Sequence, residues 1–209
     1  MNGKALFVVA HPDDEALFFG GTMLSLACDR IEIHIAVLTG AKFCNSPKTP
    51  EQAEREPARI ACRWGAFARV CLAVRAFAYR ARLPQMLEAN HSLYAKGLHW
   101  LETLMKAIRP TLVFTHGKDG DYTAEKYADG WATARHQHKL CHDLTMETSP
   151  TNVHAIDPEG DIIYQFDRDK KMKLLDYYRH GCTQTKVWDA EKNYPEFCTD
   201  VERFRLFVP

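Results

Sequence analysis

One short run of the chain places three carboxyl groups directly after a histidine: His11-Pro12-Asp13-Asp14-Glu15, following the apolar stretch Ala5 to Ala10. A nucleotide site at such a turn needs glycines and free backbone N–H groups, and here phosphate would meet only negative charge. A divalent cation would be attracted instead. His11 offers an imidazole and Asp14 a carboxylate, ligands that suit zinc, with the remaining positions filled from elsewhere in the chain. Asp13, beside a ligand but free itself, is then placed to accept a proton from the water that such an ion activates. The plainer use of the same residues is an acidic helix start, with Asp13 or Asp14 as N-cap. The preceding buried strand, with a histidine at its tip, weighs for the metal.

A second concentration of chemistry lies at Arg135-His136-Gln137-His138-Lys139-Leu140-Cys141-His142, where three histidines fall within seven residues. On a helix His142 lies one turn beyond His138 on the same face, pointing into a site or packing behind it. Between the two clusters, His116 follows a strand, and Asp119, Asp121 and Tyr122 belong to the polar stretch after it, Gly117 to Gly130, without apolar period. It reads as a long loop of the kind that often carries function.

These residues need elements to position them. Ala5 to Ala10 is a continuous apolar run, the pattern of a strand buried on both faces in a parallel sheet. Glu15 to Cys28 reads as a helix, and Ile31 to Leu38 as a second, β-branched strand. A helix is expected from Thr49, where Thr-Pro-Glu-Gln supplies a cap, a proline at the first helical position and a capping-box partner at Gln52. Pro57 is expected to kink or divide it. Val70 to Val74 reads as a third strand, and Arg75 to Leu83 fits no period. Ser92 opens a helix with Leu98, Leu101, Met105 and Ile108 at three- and four-residue spacing, ending at Arg109-Pro110. Thr111 to Thr115 is the next strand, and another helix starts near Thr133. Asn152 to Ile156 and Ile162 to Phe166 read as a hairpin, and Asp167 to His180 as a last long helix. Strands alternating with helices predict βαβ units in one three-layer α/β/α domain spanning residues 1–209, its site beyond the carboxyl ends of the strands.

Ala10-His11-Pro12-Asp13-Asp14-Glu15 after an N-terminal strand resembles the defining motif of the LmbE/PIG-L-like zinc-dependent N-deacetylases. The resemblance implies a Rossmann-like three-layer sandwich with a mostly parallel sheet, and removal of the acetyl group from an N-acetylglucosamine-type substrate. It implies Zn2+ held by His11, Asp14 and a later histidine, with Asp13 as general base. The family's second motif, HxxH at a helix start, is altered here. If His138 is the third ligand, Arg135 stands where the family has its oxyanion-stabilising histidine, and a guanidinium can serve there as a permanent cation. The alternative is a one-residue deletion in which His136 takes that role; His136 is also the second candidate for the ligand position. By the same resemblance the loop with His116, Asp121 and Tyr122 borders the substrate, and the helix Lys170 to His180, followed by Gln184, matches the family's C-terminal helix loosely. His180 could face the site, although a histidine at a helix C-terminus is favourable for dipole reasons alone.

Composition removes other classes. With 46% apolar and 26% charged residues in 209, the chain resembles ordinary globular proteins. Lys plus Arg and Asp plus Glu number 27 each, so the cationic footprint of a nucleic-acid binder is missing. No stretch reaches the ~18 apolar residues of a bilayer span, and the first strand runs into acid rather than into a signal-peptide cleavage site. Seven scattered cysteines without a CxxC pair fit a reduced, cytoplasmic protein whose thiols pack as small hydrophobes. The expected partner is a small amino-sugar conjugate, with the oligomeric state left open. Two rival functions remain. One is a phosphoesterase holding two metals ~3.5–4 Å apart among His11, Asp13, Asp14, His116, Asp121 and His138. The other is a sugar-binding protein that kept the fold and lost the metal.

Overall fold

The computed structural model describes residues 3–39, 50–83, 91–119, 132–149, 152–181 and 190–208. The chain runs β1 (Lys4–Val9), α1 (Asp14–Cys28), β2 (Glu32–Thr39), α2 (Pro50–Val74), β3 (Phe77–Leu83), α3 (His91–Ile108) and β4 (Leu112–Thr115). It continues through α4 (Ala132–Thr148), β5 (Val153–Ile156), β6 (Ile162–Gln165), α5 (Arg168–Gly181), α6 (Ala190–Asn193), a 3-10 turn (Pro195–Phe197) and β7 (Val201–Phe207). The seven strands among the described residues form one sheet in the order β3-β2-β1-β4-β5-β7-β6. β3, β2, β1, β4 and β5 are mutually parallel, and β7 runs antiparallel between β5 and β6.

The alternation of side chains along β1 explains why the strand is apolar throughout. Ala5, Phe7 and Val9 face a core built with Phe19 and Met23 of α1, Phe67 and Val70 of α2, and Leu174 and Tyr178 of α5. Leu6, Val8 and Ala10 face the opposite core, with Leu101, Met105 and Ile108 of α3 and Cys141 and Leu144 of α4. Helices on both faces of a mostly parallel sheet make the expected α/β sandwich.

Three expectations are corrected. Val70 to Val74 is not a strand but the last turn of α2; the third strand is Phe77–Leu83. α2 also continues through Pro57 as one helix, losing the one bond that the proline ring cannot donate. The helix ends in a Schellman motif, with Ala76 N–H bonded to the Cys71 carbonyl at 2.8 Å and Arg75 N–H to Leu72 at 3.3 Å. Arg75 takes the left-handed conformation there, with φ 55°, as does Arg30 after α1 with φ 61°. Both stand where glycine is usual, so the sequence signal for a helix end is absent. Finally, β5 and β6 do not pair as a hairpin. The alternating segment Val201–Phe207 lies between them, with Asp157 N–H bonded to the Arg203 carbonyl and Arg205 Nε 2.8 Å from Asp157 Oδ2. The connection crosses β7 so closely at Gly160 that a Cβ would lie 2.3 Å from the Phe204 carbonyl oxygen.

No helix among the described residues is long and apolar enough to cross a membrane. Cys28, Cys62, Cys71 and Cys198 are free thiols; Cys71, Cys141 and Cys198 are buried and Cys28 is exposed. Cys44 and Cys182 lie outside the described residues.

Candidate active site

Chain order reverses direction between β1 and β4, which are neighbours although α1, β2, α2, β3 and α3 intervene. At such a switch point the two adjoining loops diverge and leave a crevice at the carboxyl ends of the strands. His11 follows β1, His116 follows β4, and α4 brings His138 to the same place. Thr39 at the end of β2 fixes the tip of β1, donating to the Ala10 carbonyl from both its N–H, at 3.0 Å, and its Oγ1, at 2.8 Å.

The centre of the arrangement is Asp14 Oδ2. It accepts the His11 N–H at 2.8 Å and lies 3.2 Å from His11 Nδ1 and 3.5 Å from His138 Nε2. His11, Asp14 and His138, all buried, form a group whose ligand atoms lie within 4.8 Å of one another. Four-coordinate zinc with bonds of ~2.0–2.1 Å would hold neighbouring ligand atoms ~3.3–3.4 Å apart, so the two separations from Asp14 suit such an ion. Two imidazoles and one carboxylate are also the protein donor set of catalytic zinc sites. Burial alone would raise the Asp14 carboxyl, but the imidazoles of His138 and His11 outweigh it and hold the group well below the ordinary carboxylate range. It stays ionised and available to a cation.

His116 adjoins this group. It is fully buried, its Nε2 accepts the Ala10 N–H at 3.1 Å, and its ring stacks on that of His138 at 4.1 Å and 5°. Because that lone pair is already engaged, His116 supports the His138 ring although its Nε2 is 3.4 Å from Asp14 Oδ2. Phe18 packs edge-on against both imidazoles, at 5.4 and 5.6 Å, and against Phe197 of the 3-10 turn at 4.7 Å. His142 Nδ1 donates to the His116 carbonyl at 2.9 Å, so this histidine braces the end of β4.

Asp13 occupies the N-cap position of α1 with φ 140° and ψ −27°, a conformation costly for a residue with a Cβ, and its side chain makes no capping bond. Its N–H is held by Glu15 Oε2 at 2.9 Å, and Glu15 Oε1 accepts a hydrogen bond from the Tyr178 hydroxyl of α5. The freed carboxylate pairs with Arg63 of α2, at 3.0 Å from Nη2. Burial pushes the Asp13 carboxyl up to about 6, with Arg63 opposing. Glu15 is pushed up to about 8 by burial, against the bonds from Tyr178 and from the Asp13 backbone.

Of the remaining expected residues, His136 is half-buried and outside the cluster. Arg135 is exposed, and its Nε donates to the Asp119 carbonyl at 2.9 Å. Asp121, Tyr122 and Gln184 lie outside the described residues, as does the side chain of His180. Three residues were not anticipated: Arg63; Tyr194, buried close to Asp13 and Arg63 and raised chiefly by burial; and Gln137, whose Oε1 bonds His11 Nε2. Arg63 and Tyr194 carry no motif, and only the packing of α2 and of the C-terminal segment onto the β1 tip reveals them.

A family model described as PIG-L: GlcNAc-PI de-N-acetylase matches residues 6–149. The chain belongs to this family. Its match spans both histidine clusters, and membership makes the protein a hydrolase of the metal-dependent N-deacetylase class. No curated protein matches the sequence. Among solved structures, the N,N'-diacetylchitobiose deacetylase of Pyrococcus horikoshii is 15% identical with a TM-score of 0.73, over 98% of this chain and 84% of that one. The zinc-inhibited form of the teicoplanin deacetylase Orf2 is 13% identical with a TM-score of 0.63, over 93% and 90%. The 4-carboxy-2-hydroxymuconate hydratase GalB of Pseudomonas putida KT2440 is 17% identical with a TM-score of 0.62, over 99% and 97%. At these identities the likeness shows the fold, and the hydratase illustrates that one fold carries different chemistries.

Proposed function

We propose that the chain hydrolyses the acetamide of an N-acetylglucosamine-type conjugate, with zinc held by His11, Asp14 and His138 and with Asp13 as the base. The observation that carries this reading is the meeting of two imidazoles and a carboxylate around one point, beside a second carboxylate kept out of the ligand set. Zinc bound there would polarise the acetyl carbonyl and make water a nucleophile near neutral pH. Asp13, with its proton affinity raised toward neutrality by burial, takes one proton from the attacking water. A C–O bond forms, the C–N bond breaks, and the same carboxyl returns the proton to the departing amine nitrogen. Arg63 limits how strongly burial raises Asp13, so that the base is ionised at neutral pH. Arg135, anchored on the Asp119 carbonyl, and His136 are the two candidates for steadying the oxyanion. His116 reaches a substrate only through His138, whereas Asp121, Tyr122 and His180 remain proposed contacts to it.

Metal analysis combined with an amine-release screen over N-acetylhexosamine compounds tests the reading. One zinc per chain with release of amine and acetate is the expected result, and His11→Ala, Asp14→Ala or His138→Ala should abolish both. Two metals per chain with phosphate-ester cleavage, or sugar binding without zinc uptake, would replace it. His136→Ala should keep the metal. Arg135→Ala should keep it and lose ~10²–10³ in kcat if the guanidinium serves the oxyanion; zinc loss in His136→Ala rather than His138→Ala would shift the register by two residues.

A further inference from the structure

Gln137 stands between His136 and His138 of α4 and has no place in the roles just assigned, yet it is almost completely buried, with 1% of its surface exposed. Its Oε1 meets His11 Nε2. Its amide nitrogen has no hydrogen-bond partner among the described residues, so the bond to His11 is the side chain's one satisfied contact there. A buried carboxamide retained for a single bond calls for an account of that bond.

His11 presents two nitrogens to two different neighbours. Nδ1 lies 3.2 Å from Asp14 Oδ2, on the side where the His138 Nε2 also lies, whereas Nε2 faces Gln137. A carboxamide oxygen can only accept, so the Nε2 of His11 carries the proton and donates. In the neutral ring a proton on Nε2 leaves the lone pair on Nδ1, aimed at the point shared with Asp14 and His138. A histidine ligand commonly donates its second N–H to an acceptor that fixes ring and tautomer, and the acceptor is usually a carboxylate or a backbone carbonyl. Here Asp13, Asp14 and Glu15 already crowd three carboxyl groups into one turn, and an amide supplies the acceptor without a fourth negative charge.

We infer that Gln137 is a positioning residue that orients the His11 imidazole for the metal, through the hydrogen bond from His11 Nε2 to Gln137 Oε1. The inference rests on the zinc site proposed above. It also gives α4 a double task, because adjacent residues then supply one ligand, His138, and the orienting partner of another. Two consecutive helix positions turned toward the same crevice couple the placement of both imidazoles to the seating of a single helix.

The test is zinc affinity, read by competition with a chromophoric chelator on the full chain, for wild type, Gln137→Met and Gln137→Glu. Methionine keeps the volume and removes the acceptor; glutamate keeps an acceptor. Gln137→Met should weaken zinc binding ~10–100-fold with the melting temperature of the metal-free protein unchanged, and Gln137→Glu should restore affinity to within a few-fold of wild type. In the zinc-loaded wild type, nitrogen-15 NMR should show the His11 proton on Nε2. Equal zinc affinity of Gln137→Met and wild type would overturn the inference, and so would Gln137→Glu binding as weakly as Gln137→Met. If Gln137→Met does not fold, a His11 Nε2 without a proton in zinc-loaded wild type overturns it alone. A wild type that takes up no zinc removes the site itself, an outcome distinct from a zinc-binding wild type insensitive to position 137.

Discussion

At the scale of single residues, the turn after β1 assigns different tasks to adjacent carboxyl groups by giving them different surroundings. Asp14 is surrounded by imidazoles and stays ionised, whereas Asp13 is buried against one guanidinium and titrates at about 6. As the proposed base, Asp13 must be unprotonated to act, so turnover should fall as pH drops through about 6, and Asp13→Asn should keep the proposed zinc while losing most of kcat at every pH. A pH profile of kcat/KM with parallel metal analysis checks both. Glu15 has a different consequence. Its carboxyl holds its proton in the fold up to about 8, against an ordinary 4.5. Between those values the unfolded chain releases a proton that the native state keeps, so the stabilisation is complete below about 4.5 and is lost as pH rises to about 8. Melting temperatures at pH 5 and pH 8 should show this loss in wild type and a smaller one in Glu15→Gln. An equal decline in the two would mean that another group carries the slope.

At the scale of elements, α1 is held at its middle as well as at its start. Glu202 of β7 accepts the Gly21 and Thr22 N–H groups at 3.0 and 2.8 Å, and its Oε1 is 2.7 Å from Nζ of Lys171 on α5, with both side chains buried. Gly21 lies so close to Phe166 that a Cβ would stand 2.1 Å from its ring. One carboxylate therefore ties α1, α5 and β7 together behind the β1–α1 turn. Removing one partner of a buried pair strands the other, so Lys171→Met should cost about 3–5 kcal/mol in chemical denaturation, whereas an exposed pair such as Lys106–Glu102 should cost under about 1 kcal/mol. None of this was legible in the sequence. β1, α1, β2, α3 and β4 were, because each is announced by an apolar period or run, and the His11 to Glu15 motif was, because its chemistry is local. The end of α2 was missed because Arg75 stands where a glycine would have marked it, and Val-Cys-Leu-Ala-Val is as apolar as a strand. β7 was missed because pairing with two strands distant in sequence leaves no local trace. Gln137 was legible only as a neighbour of histidines, since its role depends on a residue 126 positions away.

At the scale of the whole molecule, the proposed metal joins parts of the chain that the sheet alone keeps only adjacent. His11 and Asp14 come from the β1–α1 turn and His138 from α4, and these elements pack on opposite faces of the sheet through the two separate cores. A cation bound to all three bridges those faces, and the ligand geometry needed for tight binding exists only in the folded chain, so binding must add to stability. At free zinc 1,000-fold above Kd the gain is about 4.1 kcal/mol. A domain of this size shifts by roughly 2–4 °C per kcal/mol, so zinc should raise the melting temperature by roughly 8–16 °C over chelator-treated protein. The shift should vanish in His138→Ala, which leaves both cores intact and removes only the ligand from α4. Calorimetry with and without chelator on both proteins decides this. An unchanged melting temperature in wild type would mean that no cation links the faces, and an equal shift in His138→Ala would place the third ligand elsewhere.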